Sequence, residues 1–126
     1  MWVFSDVGFF SVVEDWKDKQ YVWVRARWKK DLIQLRSFIR KEKMRFKFGS
    51  IKETPERDYP FRVRLKKNNW VMALHCLGEN INYGNFKGAV QDQDPAREQV
   101  YMKVWSILRN AASPEKKNEP WEGEDL

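Results

Sequence analysis

The 126-residue chain holds one Cys and one His, and that scarcity removes several kinds of chemistry at once. Cys76 has no second thiol with which to close an internal disulfide. His75 and Cys76 are neighbours, about 100° apart if helical, so they form neither a structural zinc site nor a thiol–imidazole nucleophile pair. Glycines number only six, and no phosphate-cradling glycine loop, serine elbow or dinucleotide fingerprint occurs. Long apolar runs are missing too. Lys, Arg or Asp interrupts each stretch well before the ~18 residues a membrane-spanning helix requires. No charged-then-apolar leader opens the sequence, and the expectation is a cytoplasmic protein with no cofactor and no membrane partner.

Aromatic and basic side chains are present in excess. Seven Trp, eight Phe and four Tyr sit among 42% hydrophobic and 33% charged residues, enough apolar area for one core. The net charge of +6 is uneven: residues 113–126 carry two Lys against five acids, a net of −3, leaving +9 on residues 1–112. Such a body attracts polyanions over roughly a Debye length of about 8–10 Å. We expect one α+β domain over residues 1–112 and a disordered acidic tail over 113–126.

Periodicity gives the elements. Residues 1–4 and 8–14 predict a hairpin, with Asp6 and Gly8 in its turn. Residues 20–28 alternate Val22, Val24, Ala26 and Trp28 with Tyr21, Trp23, Arg25 and Arg27, a strand with one core face. Leu32, Leu35, Phe38 and Ile39 change the period to that of a helix over 30–41. Met44, Phe46 and Phe48 against Arg45 and Lys47 predict a strand over 44–51, and 59–66 another, with Arg62, Arg64 and Lys66 opposite its apolar side. Asn68 or Asn69 is a candidate cap for a helix starting at Trp70, with a stripe of Trp70, Val71, Leu74, Leu77 and Ile81. A short helix over 85–91 and a last one over 96–110 follow, the latter capped by Asp94, opened by Pro95 and bringing Val100, Val104, Trp105, Ile107 and Leu108 to the core.

The order predicts a two-layer α+β sandwich, mostly antiparallel, with helices on one face. It would be ferredoxin-like or a variant with an added N-terminal hairpin, and residues 20–51 would form a βαβ crossover. Met1-Trp2-Val3-Phe4, Gly8-Phe9-Phe10-Ser11-Val12-Val13, Val24-Arg25-Ala26-Arg27, Tyr83-Gly84-Asn85-Phe86-Lys87 and Val104-Trp105-Ser106 resemble a family of short uncharacterised bacterial proteins. The resemblance implies a bacterial or phage-associated soluble protein and carries no activity, cofactor or catalytic residue.

Three functional expectations follow. Tyr21, Trp23, Arg25, Arg27, Arg45, Lys47, Arg62, Arg64 and Lys66 would share one sheet face, where single-stranded RNA or DNA stacks bases on the rings and sets phosphates on the cations. Against this stands an ordinary solvated face whose long side chains cover the rings, and the aromatic signature of RNA-binding sheets is absent. The same face would alternatively serve a protein partner, either a second copy or an acidic host or phage protein, with Trp2, Phe4, and Phe9 or Phe10 as further anchors beside Trp23. The acidic tail would then fold over the face and compete. An enzyme is the least expected class. It would need two of Asp6, Asp15, Asp18 and Asp58 to converge on a divalent ion in a nuclease-like site, although turns and caps account for all four.

Overall fold

A computed structural model describes residues 1–112; both expectations for the tail, disorder and closure over the basic face, lie outside the described residues. The chain divides into two compact units, Met1–Gly84 and Asn85–Leu126. No helix among the described residues is long and apolar enough to cross a membrane.

In the first unit the strands are β1 (Trp2–Phe4), β2 (Phe9–Glu14), β3 (Tyr21–Ala26), β4 (Lys52–Glu53) and β5 (Phe61–Lys66), and the helices are α1 (Lys29–Lys41) and α2 (Lys67–Glu79). The sheet order is β1-β2-β3-β5-β4 and every neighbouring pair is antiparallel. The β1–β2 hairpin closes as expected, with the Ser5 N–H and hydroxyl both donating to the Gly8 carbonyl at 3.0 and 2.8 Å. Val12, Val24 and Val63 lie directly opposite one another, as do Val22 and Leu65. This face meets Leu32, Leu35 and Ile39 of α1 and Trp70 and Ala73 of α2 in one buried cluster. Both helices therefore cover the same side of the sheet, and the other side carries no helix of this unit.

The expected strand at 44–51 is corrected. Residues 44–51 contain no strand, and pairing begins only at the two-residue β4. Lys43 at φ 56° and Gly49 at φ 83° bend the backbone at each end of the stretch. Its alternation is nevertheless real in burial: Phe48 is buried and Met44 and Phe46 pack on the core, while Arg45 and Lys47 are exposed. The apolar side chains are satisfied by packing, without a ladder. The βαβ expectation changes accordingly, because β3 and β4 are each antiparallel to β5 and so run in the same direction with β5 between them.

Helix α2 also starts earlier than its cap signals suggest. It follows β5 without a loop, and neither asparagine is the N-cap, which is Lys66 with no side-chain cap bond. The Lys67 N–H donates to the Gln20 carbonyl at 2.7 Å and ties the helix start to the head of β3. Of the expected stripe only Trp70 is buried, joined by Ala73, while Val71 and Ile81 are exposed.

In the second unit α3 (Phe86–Gln93) is capped by Asn85, whose side chain accepts from the Gly88 N–H at 3.2 Å. Helix α4 (Pro95–Ala111) is capped by Asp94, which accepts from the Arg97 N–H at 3.1 Å, and opens on Pro95 as expected. Phe86 stacks on Tyr101 at 5.8 Å. The expected core stripe of α4 is corrected: Trp105, Ile107 and Leu108 are each more than half exposed, and Val100 is exposed as well. With eight residues, α3 is less than half as long as the 17-residue α4 and cannot line its whole length at 1.5 Å per residue.

Candidate nucleic-acid interface

Because directly opposed residues of antiparallel strands point to one side, the register fixes the membership of the uncovered face. One row crosses all five strands: Trp2, Ser11, Arg25, Arg62 and Lys52. The next contains Val13, Trp23 and Arg64, and a third pairs Tyr21 with Lys66. Of the nine residues expected here, Tyr21, Trp23, Arg25, Arg62, Arg64 and Lys66 share the face, with Arg27 just beyond the end of β3. Arg45 and Lys47 belong to the irregular stretch and are not brought into the sheet.

The rings are held from the side by cations. The Arg64 guanidinium lies 3.7 Å from the Tyr21 ring centroid, while its Nε donates to Asp15 Oδ2 at 2.7 Å. Lys52 and Arg62 flank Trp23 at 5.3 and 5.9 Å. Arg25 and Arg27 both stand over Tyr59, at 4.7 and 4.8 Å. Such contacts contribute about 0.5–1 kcal/mol each at exposed sites. They fix the rings without burying them under a second layer, so Tyr21 and Trp23 remain half-exposed.

The cations divide into two groups. Arg27 is paired with Asp58 at 3.0 Å and Arg64 with Asp15. The Asp15 side chain is only 5% exposed; hydrogen bonds from Arg64, the Lys17 N–H and Trp23, with the Arg64 charge, outweigh burial and hold its carboxyl below the usual range. Arg25, Arg62, Lys52 and Lys66 have no carboxylate partner among the described residues. Arg25 is oriented by Ser11, donating to its hydroxyl at 2.7 Å. Arg62 Nε is buried without a partner, and burial, followed by repulsion from Arg57 and Arg25, pulls its pKa down. Arg25 and Lys52 are its direct cross-strand neighbours, and like charges so placed repel.

An aromatic group continues the face toward β1. Phe4 stacks on Phe9 at 4.4 Å, Trp2 meets Phe9 edge-on at 6.1 Å, and Phe9 approaches Tyr59 at 6.4 Å. Phe9 and Tyr59 are buried, whereas Trp2 is 68% exposed. Sequence reasoning missed Lys52, Tyr59 and Asp15 as parts of this surface. Lys52 lies between the two expected strands, 44–51 and 59–66, and the contacts of the other two cross strands far apart in the chain.

Three of the four candidate carboxylates have separate structural partners. Asp15 and Asp58 pair with arginines, Asp18 accepts from the Gln20 N–H at 3.0 Å, and among the described residues no group of three His, Cys, Asp or Glu is positioned to hold a metal. His75 pairs with Glu79 one turn on. Burial, with Glu42 and Glu79 nearby, raises the Cys76 pKa and disfavours its thiolate.

Fold and surface together define a small α+β protein with one helix-covered and one cation-rich sheet face. Set against family models, curated proteins and solved structures, the chain finds no match.

Proposed function

We propose that the protein binds single-stranded RNA or DNA on the uncovered face of its sheet. The supporting observation is the row Arg25–Arg62–Lys52, three directly opposed cations without carboxylate partners, beside the half-exposed ring of Trp23. Internal repulsion along that row is relieved by a polyanion, and Trp23 offers a stacking platform worth about 1–3 kcal/mol per base. Tyr21 is the poorer platform because Arg64 already covers it.

The test is fluorescence anisotropy with a labelled single strand at several salt concentrations. If three to four phosphates are neutralised, log K falls against log salt with a slope of about −2 to −3. Replacing both Trp23 and Arg25 by Ala should weaken binding at least tenfold, and no binding by the wild type at low salt rejects the proposal.

A second reading uses the exposed Trp2 on the edge strand β1 as the anchor of a homodimer, since edges and aromatic side chains favour association. Concentration-dependent light scattering that Trp2→Glu abolishes supports it, and a monomer at all concentrations rejects it. For the fold, we infer a ferredoxin-like relationship in permuted order. The order β2-β3-β5-β4, with α1 and α2 following β3 and β5, supports a split βαβ scheme in which the hairpin strand β2 takes the place of the closing strand.

A further inference from the structure

The segment that fails to become a strand builds a second feature, on the helical side of the sheet. Lys43 in the left-handed region turns the chain back, with its N–H bonded to the Arg40 carbonyl at 3.0 Å and that of Met44 to Ile39 at 3.2 Å. The returning residues face the last turns of α1 and leave a cleft of about 260 Å³. Ile39, Phe46 and Phe48 supply its apolar surface, and Arg36, Arg40 and Lys47 are its charged residues; no acid lines it.

On α1, Arg36, Ile39 and Arg40 fall at i, i+3 and i+4, one face of the helix. Neither arginine nor Lys47 has a carboxylate partner among the described residues. Arg40 stands in the last turn, where its charge offsets the helix dipole. Arg36 lies a turn earlier, and its Nε is buried with no hydrogen-bond partner. That Nε is out of reach of the cleft, so it is the guanidinium as a whole, as a charged lining group, that offers an acid its partner. Small-molecule sites are mostly apolar, with a few polar groups that orient the ligand, and typically enclose about 300–1,000 Å³. This cleft falls just below that range and suits only a compact ligand.

We propose that the cleft between α1 and residues 44–49 binds a small aromatic carboxylate, its acid group toward Arg36 and its ring against Ile39, Phe46 and Phe48. The site is independent of the nucleic-acid reading, because none of its residues lies on the uncovered sheet face.

The test titrates 1-naphthoate and its neutral amide into the full chain carrying ¹³C-methyl methionine, where Met44 reports from the cleft wall. The acid should shift the Met44 methyl and bind at least tenfold more tightly than the amide. Arg36→Met should abolish that preference. Phe46→Ala, a second variant on the opposite wall, should weaken acid and amide alike, and Trp23→Ala should change neither. Equal affinity for acid and amide, no Met44 shift at saturation, or a preference that survives Arg36→Met overturns the proposal. Loss of binding in Trp23→Ala also overturns it, by placing the naphthoate on the sheet face.

Discussion

Two faces of β3 differ in how their side chains are held. On one, Val22, Val24 and Ala26 are buried under α1 and α2 and make their contacts across layers. On the other, Tyr21, Trp23 and Arg25 stay half-exposed and make theirs sideways, through guanidinium and ammonium groups of neighbouring strands. Burial stabilises the first face by about 25 cal/mol per Å² of apolar area removed from water. Lateral cation–π contacts add little stability but leave ring and charge accessible. Substitutions on the first face should therefore register as lost folding, and those on the second as lost binding.

The largest effect belongs to the covered face. Leu35 is fully buried between α1 and the sheet, so Leu35→Ala should cost about 2–5 kcal/mol, measured by urea denaturation with an unchanged m-value. Trp23→Ala, its counterpart across the sheet, should cost less, about 1–2 kcal/mol for its two exposed cation–π contacts. If Trp23→Ala proves the more damaging, the division of labour between the faces fails.

Next in size comes the junction that docks α1 on the hairpin. Asp31 is fully buried and its Oδ2 accepts from the Phe9 N–H at 2.9 Å. A Cβ on Gly8 would stand 2.8 Å from both Cβ and Cγ of Asp31, contacts that backbone or carboxylate must move to relieve. Gly8→Ala should destabilise by about 1–3 kcal/mol, seen as a lower thermal midpoint with oligonucleotide affinity unchanged at temperatures where the variant is folded.

This junction marks the limit of what the sequence conveys. The periods of β3, β5 and α1, and the Asp94 and Pro95 signals, are local and could be recognised from neighbouring residues alone. Asp31 reads locally as an acid favoured by the helix dipole, whereas its hydrogen-bond partner lies 22 residues away. The alternation of residues 44–48 predicted burial correctly and pairing wrongly, since a period of two reports which side chains are covered and not what the backbone bonds to. That error carried Arg45 and Lys47 onto the wrong surface and hid Lys52, which the β4–β5 register sets opposite Arg62. The aromatic and basic face was thus legible where β3 and β5 form it, and illegible where an edge strand two residues long completes it.

Acid should distinguish the two kinds of cation on the open face. Asp15 is held below its ordinary value of 3.8, chiefly by the hydrogen bond from Arg64. A lowered carboxyl pKa means that the unfolded chain takes up the proton first, so the stabilisation is fully present above the unfolded value and is lost as pH falls through the folded one. As pH falls below the ordinary carboxyl value of 3.8 the wild type should lose stability more steeply than Asp15→Asn. Parallel urea midpoints for the two proteins across that range would show that the pair does not fix Arg64 in place.

The smallest effect has the opposite sign. Arg62 lies between Arg25 and Lys52 with its Nε buried and unsatisfied. In its favour stand the Glu56 charge, smaller in effect than the repulsion from Arg57 and Arg25, a 3.3 Å hydrogen bond to the Tyr59 carbonyl and a 5.9 Å approach to Trp23, the last two near the outer limits of such contacts. Removing the charge should therefore release more repulsion than it forfeits in attraction. Arg62→Gln should raise stability at low salt by about 0.2–1 kcal/mol and weaken oligonucleotide binding in the same buffer. The stability gain should shrink as the Debye length contracts from about 30 Å at 0.01 M to about 10 Å at 0.1 M. A variant less stable than wild type at low salt would mean that the row is held together by its own contacts, and the strongest reason to place a phosphate there would be gone.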